Sequence, residues 1–212
     1  MDVIIMCGGY YDFFKEHKAL TKINGERLIE RTTRLLKERN IDYYITGSDE
    51  FKEYGKVLKH ENSYRVENGK IIGYWVDAYF PTDKPTIYLH GDVYYSEAAL
   101  DKILNLNPKV NTLIGNEIAR NLEHKNWGEP FGYIVVNQDK FRKSINKCKE
   151  LQDKGQLERG YAISWELYRV DNGLDPNYML ILDESYLSIN DETIDIDNPN
   201  QIEQLNNKIA NL

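Results

Sequence analysis

The chain has 212 residues, 41% of them hydrophobic and 29% charged, and a formal net charge of −7. This is the profile of a folded α/β-sized protein rather than a disordered one. The acidic balance argues against duplex nucleic acid as a partner, because neutralising phosphates takes Lys and Arg. No apolar run is long enough to offer a membrane span. The acid is also unevenly placed. Between residues 171 and 212 nine Asp and Glu face a single base, Lys208. Such a tail either solvates a surface or lends oxygen ligands to a divalent metal. Two cysteines, Cys7 and Cys148, cannot build a disulfide scaffold, and residues 1–6 lack the basic start of a signal peptide. The expectation is a cytoplasmic protein with reduced thiols.

In chain order, Val3-Ile4-Ile5-Met6-Cys7 is a continuous apolar run closed by Gly8-Gly9, the pattern of a strand buried on both faces of a parallel sheet. Residues 10–24 read as a loop. A helix follows from Gly25, with Leu28, Ile29, Thr32, Leu35 and Leu36 as its apolar stripe and Asn40 as its end. Tyr43–Thr46 is the next strand and completes a βαβ unit. Ser48 is an N-cap for a helix running towards Leu58. Over residues 61–80 two readings stand: Asn68-Gly69 turns a hairpin, or 72–80 is a helix. Thr86–His90 is a strand leading into Gly91-Asp92-Val93, and Ser96 caps a helix through Leu104. Residues 110–114 and 133–136 are strands. Phe141, Ile145, Cys148 and Leu151 share one face of a helix, 162–170 is a short helix, and 179–182 is a strand. Asp195-Ile196-Asp197 lies at a strand end, and Asn198-Pro199 opens a last helix with Ile202, Leu205 and Ile209 as its stripe. With no repeat and no linker, residues 1–212 are expected to form one domain.

Three stretches carry chemistry. A strand ending in Gly8-Gly9 lets a ligand approach the backbone, since no Cβ intrudes. It is followed by Lys18-Ala19-Leu20-Thr21-Lys22-Ile23-Asn24-Gly25-Glu26-Arg27-Leu28-Ile29-Glu30-Arg31. The strand Thr86-Ile87-Tyr88-Leu89-His90 runs into Gly91-Asp92-Val93, and the third stretch is Ile194-Asp195-Ile196-Asp197-Asn198-Pro199-Asn200-Gln201-Ile202. In this order the three stretches resemble the sugar-phosphate nucleotidyltransferases. These belong to the NTP-transferase superfamily with a glycosyltransferase-A-type fold, which also includes molybdopterin guanylyltransferases. The likeness spans residues 2–201.

The resemblance implies an α/β, Rossmann-like three-layer sandwich with a mostly parallel central sheet. It implies an enzyme that moves an NMP group from an NTP, with CTP slightly favoured, to a phosphorylated small molecule such as a sugar phosphate, releasing pyrophosphate. It implies Mg²⁺ on Asp92 and Asp197, with Asp195 as the fallback ligand, and Lys18 on the phosphates. Cys7, Gly8, Gly9, Lys18 and Asp92 would seat the nucleotide, and Glu129, Trp165 and Arg169 (or Arg159) the acceptor. The family follows its Gly-Gly with another Gly and an Arg. Here Tyr10-Tyr11-Asp12-Phe13-Phe14-Lys15-Glu16-His17 stands instead, and Lys15 is the cation available in the Arg's place.

From the residues alone, plainer readings stay open. Asp92 also reads as a turn cap, Asp197 as a partner of the helix dipole at Asn198, Lys18 as a solvated lysine, and 164–169 as a core helix. Two other functions also stay open. One is a glycosyltransferase using a nucleotide-sugar, although Tyr94 stands where an Asp-x-Asp metal motif needs its second acid. The other is a nucleotide-binding relic, to which the aromatic loop points. The oligomeric state is open.

Overall fold

Seven short runs pair into one sheet in a computed structural model that describes residues 1–8, 10–11, 16–60, 62–67, 70–116, 128–178 and 180–210. They are Asp2–Met6 (β1), Tyr43–Thr46 (β2), Val57–Leu58 (β3), Thr86–His90 (β4), Thr112–Asn116 (β5), Pro130–Val135 (β6) and Tyr186–Ile189 (β7). Their order across the sheet is β7-β5-β6-β4-β1-β2-β3. All neighbours are parallel except β6, which runs antiparallel to β4 and β5. The α-helices among the described residues are Leu28–Glu38 (α1), Glu97–Asn105 (α2), Gln138–Asp153 (α3), Ser164–Asp171 (α4) and Pro199–Ala210 (α5).

Alternation of side chains along the strands makes the three layers. Val3, Ile5, Ile87, Leu89 and Ile134 pack in one cluster with Leu35 and Leu36 of α1 and Leu100 and Ile103 of α2. Their neighbours Ile4, Met6, Tyr88, Tyr133 and Val135 pack in a second cluster with Phe141 and Cys148 of α3 and Trp165 and Tyr168 of α4. Because both faces are covered, residues 3–6 of β1 read as an unbroken apolar run and all five residues of β4 are buried, and each buried Ile or Leu contributes roughly 1.5–3 kcal/mol. The expected three-layer α/β sandwich with a mostly parallel sheet is the architecture found.

Several expectations shift. The first helix starts at Leu28, after an Asn24-Gly25 turn that joins the paired Lys22–Ile23 and Glu26–Arg27. The helix expected from Ser48 is a 3₁₀ turn, Asp49–Glu53. Gly55 stops it there: the chain presses so closely on Tyr43 that a Cβ would lie 2.7 Å from its ring. Val57–Leu58 then add to the sheet edge. Over 61–80, Arg65–Glu67 pairs with Lys70–Ile72 as a hairpin and Trp75–Ala78 is a 3₁₀ turn, so each reading holds in part; the Asn68-Gly69 turn itself lies outside the described residues. The strand expected at 179–182 is misplaced. Residues 180–182 form no strand, Met179 lies outside the described residues, and the strand is Tyr186–Ile189. Parallel pairing with β5 decides between the two apolar runs. Ser96 caps α2 as expected, its Oγ accepting from the Ala99 amide at 2.9 Å.

Candidate active site

The parallel strands β1, β2 and β4 end side by side, and a cleft of about 500 Å³ opens beyond their carboxyl ends. Thr46 lines it at the end of β2, and Gly8 and Asp92 just past the ends of β1 and β4. This is where open α/β sheets place ligands, because the loops there are free to diverge.

Lys18 stands at the charged end. It opens a 3₁₀ turn, Lys18–Leu20, that Ala19 and Leu20 anchor in the core. Its side chain is only 11% exposed. The ammonium donates to Asp92 Oδ2 at 2.8 Å and to Asp197 Oδ1 at 2.7 Å, and lies 3.8 Å from Asp195 Oδ1. Three carboxylates therefore surround one cation.

Local folding explains how residues so far apart in sequence meet. Beyond β4, the Gly91 amide donates to the Met6 carbonyl at 2.9 Å. A Cβ at Gly91 would lie 2.7 Å from Cys7 Sγ and 2.8 Å from Met6 O, so this approach needs glycine. Val93–Tyr94 then pair antiparallel with Ile194–Asp195, setting Asp195 opposite Val93, and the Ile196 amide donates to the Asp92 carbonyl at 3.1 Å. Along this extended segment Ile194 and Ile196 turn into an apolar cluster with Ile23, Leu28 and Leu205. Asp195 and Asp197 alternate with them and face the cleft. A capping box fixes the next step. Gln201 Oε1 accepts from the Asp197 and Asn198 amides at 2.7 and 2.9 Å, while Asn198 Oδ1 accepts from the Gln201 amide at 3.2 Å.

The electrostatics follow from burial and crowding. Burial works against the Lys18 charge, but the carboxylates prevail and hold it protonated far above the ordinary lysine range. Burial likewise opposes ionised Asp92, yet the Lys18 ammonium keeps its carboxyl below the usual value. Asp195 goes the other way: burial first, then the Asp92 charge, push it well up. Burial and Asp197 also raise Glu129.

The other end of the cleft is aromatic. Tyr64 and Tyr161 lie with ring centroids 5.8 Å apart, and Trp75 meets His90 edge-on at 5.9 Å. Trp165 donates from Nε1 to the Gly128 carbonyl at 2.7 Å and stacks on Tyr186. The Arg159 guanidinium sits 5.9 Å from the centre of the Tyr161 ring and 3.9 Å from Glu166. His60, Tyr64, Trp75 and Tyr161 are cleft residues that sequence reasoning missed. They come from irregular segments with no periodicity to announce them.

The structure thus brings together Lys18, Asp92, Asp195, Asp197, Gly8, Glu129 and Trp165 in one cleft. It does not bring Arg169 there. That side chain is buried, its guanidinium engaging the Pro176 carbonyl and lying 3.7 Å from Glu166, whereas Arg159 does line the cleft. Cys7 does not line the cleft either. Its thiol packs in the core beneath Gly91, where burial pushes it well up, and its amide donates to the Thr46 carbonyl at 2.8 Å. Gly9 and Lys15 lie outside the described residues.

The donor set suits a hard divalent cation. The donors are carboxylate oxygens, negative charge exceeds positive, and Asp195 Oδ1 is a buried oxygen that accepts no hydrogen bond. Among the described residues no group of three or more His, Cys, Asp and Glu is disposed to hold a metal by itself. A cation held here would need further ligands from water or substrate oxygens, as Mg²⁺ commonly takes. Among the described residues no helix is long and apolar enough to cross a membrane.

No protein-family model matches the sequence, and neither does any curated protein. Solved structures do match. The CTP:phosphocholine cytidylyltransferase LicC of Streptococcus pneumoniae aligns over 98% of both chains, at 14% identity and a TM-score of 0.57. A provisional glucose-1-phosphate thymidylyltransferase of Bacillus anthracis aligns over 100% of this chain and 95% of its own, at 15% identity and a TM-score of 0.53. A hypothetical transferase of Thermus thermophilus aligns over 95% and 98%, at 13% identity and a TM-score of 0.50. The chain shares the Rossmann-like α/β fold of these solved structures, the fold that its three stretches around Lys18, Asp92 and Asp197 lead one to expect.

Proposed function

We propose that the protein transfers a nucleotidyl group from an NTP to a phosphorylated small molecule, releasing pyrophosphate, in a Mg²⁺-dependent reaction. The observation that carries this reading is the meeting of Lys18, Asp92 and Asp197 within 2.8 Å contacts at the carboxyl ends of parallel strands. Gly8 presents bare backbone to the nucleotide, since nothing stands within 4 Å of where its Cβ would be. Lys18 sets a point charge against the phosphates. An acceptor phosphate oxygen attacks the α-phosphorus, and the bond from that phosphorus to the pyrophosphate oxygen breaks. Negative charge builds on the departing pyrophosphate, and the Lys18 ammonium beside it lowers the barrier. Asp92 and Asp197 are the carboxylates that would hold Mg²⁺, which when bound supplies further positive charge to the phosphates.

Arg159 is suited to the acceptor's phosphate, because its guanidinium fork matches phosphate oxygens and the buried Glu166 steadies it. Tyr64, Trp75, Tyr161 and Trp165 favour an acceptor with a broad apolar or cationic face. CTP stands first among donors by fold analogy with LicC alone. The test is pyrophosphate release over a grid of the four NTPs against phosphocholine and sugar 1-phosphates, with and without Mg²⁺. The reading predicts metal-dependent pyrophosphate and a nucleotidylated product for at least one pair. Slow hydrolysis of a nucleotide-sugar without pyrophosphate would favour a glycosyltransferase instead. Nucleotide binding with no turnover would favour a relic.

A further inference from the structure

Lys18 lies where the metal is expected. A cation bound to both Asp92 Oδ2 and Asp197 Oδ1 occupies the space between them, and the Lys18 ammonium already does so at 2.8 and 2.7 Å. Magnesium binds oxygen at about 2.0–2.1 Å, so the carboxylates must close on it and an ammonium cannot share the place. We infer that Lys18 and the divalent metal are alternative occupants of one carboxylate nest, and that nucleotide couples the exchange by giving Lys18 a second station on its phosphates. This rests on the metal reading proposed above and adds an order of events that the reading does not require.

The local architecture allows the exchange. The backbone of Lys18 is fixed, because Ala19 and Leu20 are buried and the Thr21 amide closes the turn on the Lys18 carbonyl at 3.0 Å. Its four-carbon stem is the mobile part. Lys18 and Gly8 line the same cleft, and Gly8 leaves open space where a side chain would stand. Metal alone must evict a cation held by three carboxylates. With nucleotide present the ammonium moves to the phosphates, so metal and nucleotide each raise the other's affinity by the same factor.

The experiment is Mn²⁺ binding followed by electron paramagnetic resonance, without nucleotide on the wild-type chain, Lys18→Met and Asp92→Asn, and again with CTP on the wild-type chain. Lys18→Met should bind Mn²⁺ about ten-fold or more tightly than wild type, a coupling of ordinary size. Equal or weaker binding by Lys18→Met, with binding still lost in Asp92→Asn, overturns the inference and leaves the metal reading standing. Failure of the wild-type chain to bind Mn²⁺ with or without CTP overturns both. Thermal melting covers a variant that folds poorly. Mg²⁺ should raise the melting temperature of Lys18→Met and Lys18→Gln more than that of wild type, since the metal replaces the missing charge. Variants that melt alike in both conditions, or fold in neither, overturn the inference.

Discussion

The two ends of the cleft are built on different principles. At the charged end, Lys18, Asp92 and Asp197 are each pinned by regular hydrogen bonding: a 3₁₀ turn, a strand end tied to Met6, and a capping box. Lys18 makes a direct ion pair with each of the two carboxylates. At the aromatic end, Tyr64, Trp75 and Tyr161 stand on turns and short irregular segments and touch mainly through ring edges and tilted faces. The first arrangement fixes charge to within a hydrogen bond, as phosphoryl chemistry demands. The second gives area and shape, which suits binding a variable acceptor. On the function proposed above, the charged end would govern rate and the aromatic end acceptor affinity.

The largest expected effect comes from Asp92→Asn. It keeps shape and removes charge, and turnover should fall roughly 10²–10³-fold, read by initial rates of pyrophosphate release. A fall of only a few-fold would erase the distinction between the ends. Next is the hinge between strand and site. Gly91→Ala would drive a Cβ against Cys7 and Met6 O, and should cost about 1–3 kcal/mol in urea unfolding. Tyr161→Leu probes the other end. Losing its ring beside Tyr64 and Arg159 should raise the acceptor KM about five-fold, for an aromatic contact worth about 1 kcal/mol, with kcat little changed. A matching fall in kcat would place Tyr161 with the reacting groups. The smallest effect is Gln201→Ala, which removes the acceptor for the Asp197 and Asn198 amides and should cost about 1 kcal/mol of stability by chemical denaturation.

The same contrast explains what could be read from the sequence. The charged end was legible because each part leaves a local mark: an apolar run stopping at Gly8, a strand stopping at Gly91-Asp92, and Asn198-Pro199 opening a helix after Asp197. What remained hidden was that Lys18 would sit among all three carboxylates, since that depends on the pairing of Val93–Tyr94 with Ile194–Asp195 across a hundred-residue gap. The aromatic end left no mark. Tyr64 and Tyr161 are two of 16 tyrosines, and nothing in their spacing separates a cleft wall from ordinary packing. Arg169 shows the reverse error. It sits in a promising string, yet helical geometry turns it into the core, and Arg159 before the helix reaches the cleft. The last strand was misplaced for a related reason. Two apolar runs of similar length lie close together, and pairing with Leu113–Asn116, a contact distant in sequence, selects the second.

The most direct test of the central claim is pyrophosphate release by the purified wild-type chain, with CTP and phosphocholine or sugar 1-phosphates, in Mg²⁺ and again with the metal chelated. The account predicts release and a nucleotidylated acceptor in Mg²⁺, with both abolished on chelation. Release that persists undiminished without divalent metal, or in the Asp92→Asn, Asp197→Asn double variant, would contradict it.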